Sequence, residues 1–105
     1  MSDISDITWD MMSDAGINIG EVEHRHTPTG TDEYVLFVDD ITRIAFGPSV
    51  NEYGEPAEGW DIATYEHKTG TGGAGWDEQV AQDHARTPAE ALKLIADGLT
   101  IYYQL

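Results

Sequence analysis

The excess of acidic residues constrains this chain more than any other feature. Twenty Asp and Glu stand against five Lys and Arg, which gives a net charge of -15 at pH 7 with the histidines neutral. Carboxylate repulsion opposes compaction, and Leu, Ile, Val and Phe make up only about 20% of the chain, near the level at which charged chains stay disordered. Three Trp and five Tyr nevertheless favour a folded protein. Residues 1–105 are expected to form one small domain.

The same charge balance excludes several classes of protein. Direct binding to nucleic acid or to an anionic membrane depends on Lys and Arg, which are scarce here. No apolar run approaches the roughly 20 residues of a membrane span, and Met1–Asp10 carries Asp where a secretion signal needs basic and apolar residues. A chain without Cys cannot form disulfides or thiolate metal sites. These observations predict a soluble, cytoplasmic protein.

The hydrophobic pattern predicts an α+β domain. It indicates, in chain order, a helix over 2–15 ended by Gly16, a strand over 17–25, a hairpin of 34–38 and 41–46 around Asp39-Asp40, a strand over 60–67, and a helix over 88–97 ended by Gly98. Residues 76–86 fit a helix or a strand, and the tail from Thr100 fits a final strand or a packed end. The expected fold is an antiparallel meander of about four strands, with the N-terminal and C-terminal helices packed on one face.

A continuous helix over 2–15 would align four aspartates, at spacings of 3, 4 and 4 residues: Asp3, Asp6, Asp10 and Asp14. Like charges at these spacings weaken a helix by a few tenths of a kcal/mol per pair, so we interpret the row as an imitation of a line of phosphates. A merely solvated face is the alternative. Trp9 projects away from the apolar stripe. An exposed Trp in this position is typical of an interface anchor, and the alternative is that a second layer of the fold or a dimer partner covers it.

Two further acidic pairs, Asp32-Glu33 and Asp39-Asp40, lie at predicted strand ends and turns. We add them to the predicted partner-binding residues, which are Asp3, Asp6, Trp9, Asp10, Asp14, Asp32, Glu33, Asp39 and Asp40. With so few compensating cations, these carboxylates should create a long-range negative potential that speeds encounter with a basic protein and fades as salt rises.

Two patterns that could carry other chemistry are weaker. Residues 70–75 match G-x-G-x-x-G, but too few residues follow for a dinucleotide-binding βαβ unit, so a hairpin loop is predicted instead. His24 and His26 alternate on a strand and could share a metal ion with His67 or His84, but no compact ligand spacing supports this. The sequence therefore predicts no metal site and no cofactor.

No nucleophile elbow, P-loop or paired-histidine motif indicates an enzyme. We therefore expect a non-enzymatic acidic protein that binds and inhibits a basic nucleic-acid-handling enzyme or complex. Nucleic-acid mimics that phages direct against restriction or CRISPR systems act in this way, as do immunity proteins of nuclease toxins. One alternative is a salt-adapted protein whose carboxylates keep the surface hydrated. Another is a virion or chaperone-like structural subunit that forms a homodimer.

Overall fold

A computed structural model describes residues 3–26, 32–70, 73 and 75–103, with side chains described as far as residue 99. The elements, in chain order, are a first 3-10 turn (Ile4–Asp6), α1 (Trp9–Asp14), a second 3-10 turn (Ile19–Glu21), β1 (Val22–His26), β2 (Asp32–Phe37), β3 (Thr42–Val50), β4 (Pro56–Thr69), β5 (Gly75–Ala85) and α2 (Pro88–Tyr103). None of the described helices is long and apolar enough to cross a membrane.

The five strands form one antiparallel sheet in the order β1-β2-β3-β4-β5. The α+β class and the antiparallel meander are thus confirmed, but the sheet has five strands rather than about four. The fifth is the ambiguous segment, which pairs with β4 from Gly75 opposite Thr69 to Ala85 opposite Trp60. Strands β4 and β5 are consecutive and antiparallel, and the hairpin loop predicted over 70–75 includes residues 71, 72 and 74, which lie outside the described residues.

The core forms between alternate sheet positions and the helical segments. Trp60 and Phe46 are its largest fully buried side chains. Fifteen buried residues belong to the cluster: Ile7, Met12, Ile17, Val22, Tyr34, Leu36, Ile44, Phe46, Trp60, Ile62, Ala85, Ala91, Leu92, Ile95 and Leu99. The Tyr34 hydroxyl donates a hydrogen bond to the Ile7 carbonyl at 3.1 Å, which ties the N-terminal segment to β2.

The predicted helix over 2–15 is wrong because the backbone breaks at Ile7 and Thr8. Both residues are extended, and Thr8 is the N-cap of α1, its hydroxyl accepting a hydrogen bond from the Met11 amide at 3.1 Å. Asp3 separately caps the first 3-10 turn. Asp3 and Thr8 thus each start a separate short helix, which disfavours one continuous helix. The extended backbone at Ile7 also places its side chain in the core, with no exposed surface.

Two other element boundaries differ from the sequence predictions. The strand predicted over 17–25 begins only at Val22, after the second 3-10 turn. The last helix does not stop at Gly98 but continues to Tyr103, so a final strand over 100–103 is wrong; residues 104 and 105 lie outside the described residues. Glycine costs a helix about 1 kcal/mol relative to alanine, and the burial of Leu99 immediately after it offsets that cost.

Gly59 is expected to tolerate no side chain. Its φ is +97°, and an added Cβ would lie 2.6 Å from both the Ala85 carbonyl oxygen and His84 Nε2. Gly59→Ala should therefore lower the free energy of unfolding by about 2–3 kcal/mol or more, measured by urea denaturation. Gly54 is the matched control, because its φ is +79° but nothing lies within 4 Å of an added Cβ. Equal losses at the two positions would contradict the steric explanation.

Candidate functional site

A groove lies between the second 3-10 turn and the β2–β3 turn. Its volume is about 520 Å³, and it is lined by Asn18, Glu21, Leu36, Phe37, Val38, Asp39, Asp40 and Arg43. Three carboxylates and one guanidinium therefore surround it. We call this feature the acidic groove.

Hydrogen bonds in the β2–β3 turn fix one of these carboxylates. The Asp39 side chain accepts hydrogen bonds from the backbone amides of Ile41 at 2.8 Å and Thr42 at 2.7 Å. These backbone bonds, of which that from Ile41 has the larger effect, lower the pKa of Asp39 below its ordinary value of 3.8. Asp39 thus shapes the turn, while the adjacent Asp40 side chain is exposed.

The other wall of the acidic groove begins at Asn18. Its side chain caps the second 3-10 turn by accepting a hydrogen bond from the Gly20 amide at 3.1 Å. The exposed Glu21 lies in this turn, immediately before β1. Glu21 is absent from the residues predicted from the sequence, because it belongs to no adjacent acidic pair and approaches Asp39 and Asp40 only through the fold.

The guanidinium that lines the acidic groove already has partners. Arg43 donates a hydrogen bond to Asp77 Oδ2 at 3.1 Å, and its Cζ lies 5.5 Å from the Phe37 ring centroid. Arg25 lies 5.4 Å from the same ring and donates to Glu23 at 3.0 and 3.1 Å. Arg43 is the cationic residue of the groove lining, and it is already bonded to Asp77. It therefore does not neutralise the groove carboxylates.

The broken N-terminal helix changes the predicted row of aspartates. Asp3 accepts a hydrogen bond from the Ser5 amide at 2.9 Å, and Asp6 accepts one from the Asp3 amide at 3.1 Å, so these two form a local capping box. The backbone bond from Ser5, followed by the bond from its hydroxyl, lowers the pKa of Asp3. Asp10 and Asp14 instead lie on α1. All four are exposed, but they do not form one row on one helix.

Trp9 is only partly outward-facing. Its ring packs edge-on against the buried Tyr34 ring, with centroids 5.4 Å apart, and 43% of the residue remains exposed. Burial, and secondly the negative charge of Asp32, raises the pKa of Tyr34. Trp9 is thus a half-packed aromatic at the surface rather than one pointing away from the core.

The remaining predicted pair lies far from the acidic groove. Asp32 and Glu33 begin β2, whereas the groove lies at its other end, about 17 Å away at the usual rise per residue. Glu33 lines a separate depression of about 220 Å³ on the sheet, together with Asp61, Tyr65 and other residues. Asp32 contacts His24 and His26. The predicted acidic residues thus fall into separate groups.

The structure separates the four histidines into two environments. His24 and His26 are neighbours on β1, with ring centroids 5.2 Å apart. His67 lies 3.0 Å from an oxygen of Asp77, and His84 lies 2.9 Å from one of Asp61. Because β1 lies three strand spacings from β4 and four from β5, about 14 and 19 Å, His24 and His26 cannot share a metal ion with His67 on β4 or His84 on β5.

Comparisons with known proteins identify no relative. No family model matches the chain, and neither a curated protein nor a solved structure resembles it significantly.

Asp39 offers a direct test of the turn geometry. We expect NMR titration to place its pKa below 3.8. When folding lowers the pKa of a carboxyl group, the group stabilises the native state at pH values above its pKa in the unfolded chain. This stabilisation is lost as the pH falls through the pKa in the folded chain. Asp39→Asn should therefore lower the free energy of unfolding most above about pH 4, and the difference from the wild type should shrink at lower pH. A difference that does not vary with pH would contradict this role.

Proposed function

We propose that this chain is a non-enzymatic acidic interaction protein that binds and inhibits a basic nucleic-acid-handling enzyme or complex. Its binding surface combines the N-terminal segment, residues 3–21, with the acidic groove. The partner presents the Lys and Arg side chains that it otherwise uses to contact phosphates.

The observation that carries the proposal is the segregation of charge. Residues 3–21 contain five acidic residues and no Lys or Arg, and Asp39 and Asp40 add two more. None of these seven carboxylates has a cationic side chain within 4 Å among the described residues. In the sheet, by contrast, five acidic residues lie within 4 Å of an Arg, Lys or His side chain, namely Glu23, Asp32, Asp61, Glu66 and Asp77, whereas Glu33, Glu78 and Asp83 do not among the described residues.

The position of the helices supports the choice of this surface. We infer that α1 and α2 cover the same face of the sheet, since Met12 and Ile95 share one buried cluster with Phe46. The opposite face then carries the pairs of Arg25 and Arg43 with carboxylates, which neutralise much of its charge. The N-terminal segment therefore lies on the side of the sheet away from these pairs, whereas the acidic groove, which Arg43 helps to line, opens beside them.

Such a surface favours a basic partner for two physical reasons. An extended negative potential accelerates encounter with a positively charged protein, and complementary charges orient the two molecules. The half-exposed Trp9 adds an aromatic side chain close to Asp10, and aromatic anchors are frequent in interface hot spots. Salt should weaken the complex, because screening reduces interactions between exposed charges.

The test is affinity capture from a lysate of the cells in which the protein functions, at near-physiological salt and with duplex DNA as competitor. We expect a nucleic-acid-handling protein to be captured and to be displaced by DNA. The purified partner should then lose nucleic-acid binding when this protein is added. Capture that saturating DNA leaves unchanged would count against a surface that competes with phosphates.

An assembly function is the second candidate, and the outer edge of β5 favours it. This strand of 11 residues pairs only with β4 among the described residues, and its Trp76 and Val80 are 52% and 43% exposed. Long unprotected edge strands are templates for pairing with another chain. Sedimentation analysis discriminates the two proposals, because a structural subunit should self-associate without any partner.

A further inference from the structure

Two histidines and one aspartate meet where β1 ends and β2 begins. His24 and His26 are two residues apart on a strand, so they share a face, and the register places His26 opposite Asp32. Asp32 Oδ2 lies 3.9 Å from His24 Nε2, and Asp32 Oδ1 contacts His26 Nδ1. Three side chains of the types that bind metal ions therefore converge from two neighbouring strands.

The donor atoms are close enough for one ion. One nitrogen from each histidine and one Asp32 oxygen all lie within 4.8 Å of one another. Bonds of about 2.0–2.2 Å in tetrahedral geometry hold ligand atoms about 3.4 Å apart. Small side-chain rotations supply the difference, and the His26 side chain, at 76% exposure, has room to make them.

We propose that His24, His26 and Asp32 form a binding site for a divalent transition metal ion, with Zn²⁺ as the expected occupant. Two imidazole nitrogens and one carboxylate oxygen suit Zn²⁺ and its neighbours in the first row, whereas Mg²⁺ and Ca²⁺ prefer oxygen ligands alone. Three protein ligands leave at least one coordination position for water or for a partner's side chain.

The surroundings of His24 hold one of the ligands in place. Its ring packs against the Tyr34 ring, with centroids 5.4 Å apart, and the Tyr34 hydroxyl is bonded to the Ile7 carbonyl. The Asp32 side chain is 32% exposed and is therefore partly ordered by its neighbours. The strongly negative chain also attracts cations to its surface. A bound ion would link the edge strand β1 to β2, at the opposite end of β2 from the acidic groove.

Calorimetric titration of the EDTA-treated full chain with ZnCl₂ tests the site. We expect one ion per chain with a dissociation constant in the micromolar range. His26→Gln should weaken binding at least about tenfold, because it removes one of three ligands. His67→Gln is the matched control, since His67 also lies beside an aspartate but without a second histidine. It should leave the affinity unchanged.

A second measurement separates this site from weak binding by surface carboxylates. Zinc at ten times the dissociation constant should raise the melting temperature of the wild type by about 6 °C, because the ion binds the folded chain. His24→Gln and Asp32→Asn should each abolish this rise, and NMR should show the ring signals of His24 and His26, but not of His84, shifting with zinc. Equal zinc affinity in the wild type and a His24→Gln/His26→Gln variant would overturn the proposal and indicate an adventitious ion only.

Discussion

Trp60→Ala is expected to lower the free energy of unfolding by about 3–5 kcal/mol, the usual cost of removing a fully buried large aromatic side chain. Trp60 has no exposed surface and belongs to the cluster that joins the sheet to the helical segments. Small domains are typically stable by only about 5–15 kcal/mol, and carboxylate repulsion opposes compaction here. The melting temperature should therefore fall by more than about 10 °C, as circular dichroism during heating would reveal.

Trp76→Ala is the matched control for this prediction. The same side chain is removed, but Trp76 is 52% exposed on the edge strand β5. We expect a loss below about 1 kcal/mol, since little packed apolar area disappears. Comparable losses for the two variants in urea denaturation would show that Trp60 does not occupy the centre of the core.

Elements with a clear local signal could be predicted from the sequence. The hairpin around Asp39-Asp40 combines two apolar runs with a residue whose carboxylate bonds the turn amides, and it appears as β2 and β3. Helix α2 begins as predicted, with the Thr87 hydroxyl accepting a hydrogen bond from the Glu90 amide at 3.1 Å. Short-range hydrogen bonding specifies both features.

Features that depend on tertiary contacts could not be predicted. Strand β5 is exposed at every position except Ala85, so its sequence has little hydrophobic alternation, and pairing with β4 determines its conformation. The break at Ile7 requires knowledge of the core that this residue enters. Likewise, Asp32 joins His24 and His26 through the register of β1 and β2 rather than through sequence spacing.

A double charge reversal, Glu21→Lys with Asp40→Lys, is expected to weaken partner binding by about 100-fold. Each substitution replaces an attraction for a basic partner by a repulsion, and like charges facing each other across an interface cost several kcal/mol. Both residues are exposed and line the acidic groove. Asp39 is left unchanged because its carboxylate holds the turn. Titration of the captured partner at two salt concentrations measures the affinity and its salt dependence.

The control must change the net charge equally without touching the groove. Glu52→Lys with Asp97→Lys does so, because these exposed residues lie in the β3–β4 loop and on α2. If overall charge alone attracted the partner, both double variants would lose affinity equally. A loss confined to the groove variant, with unchanged circular dichroism, would locate the interface at the β2–β3 turn. Unchanged affinity in that variant would remove the acidic groove, Glu21 included, from the binding surface and leave the carboxylates of residues 3–14 as the remaining candidates.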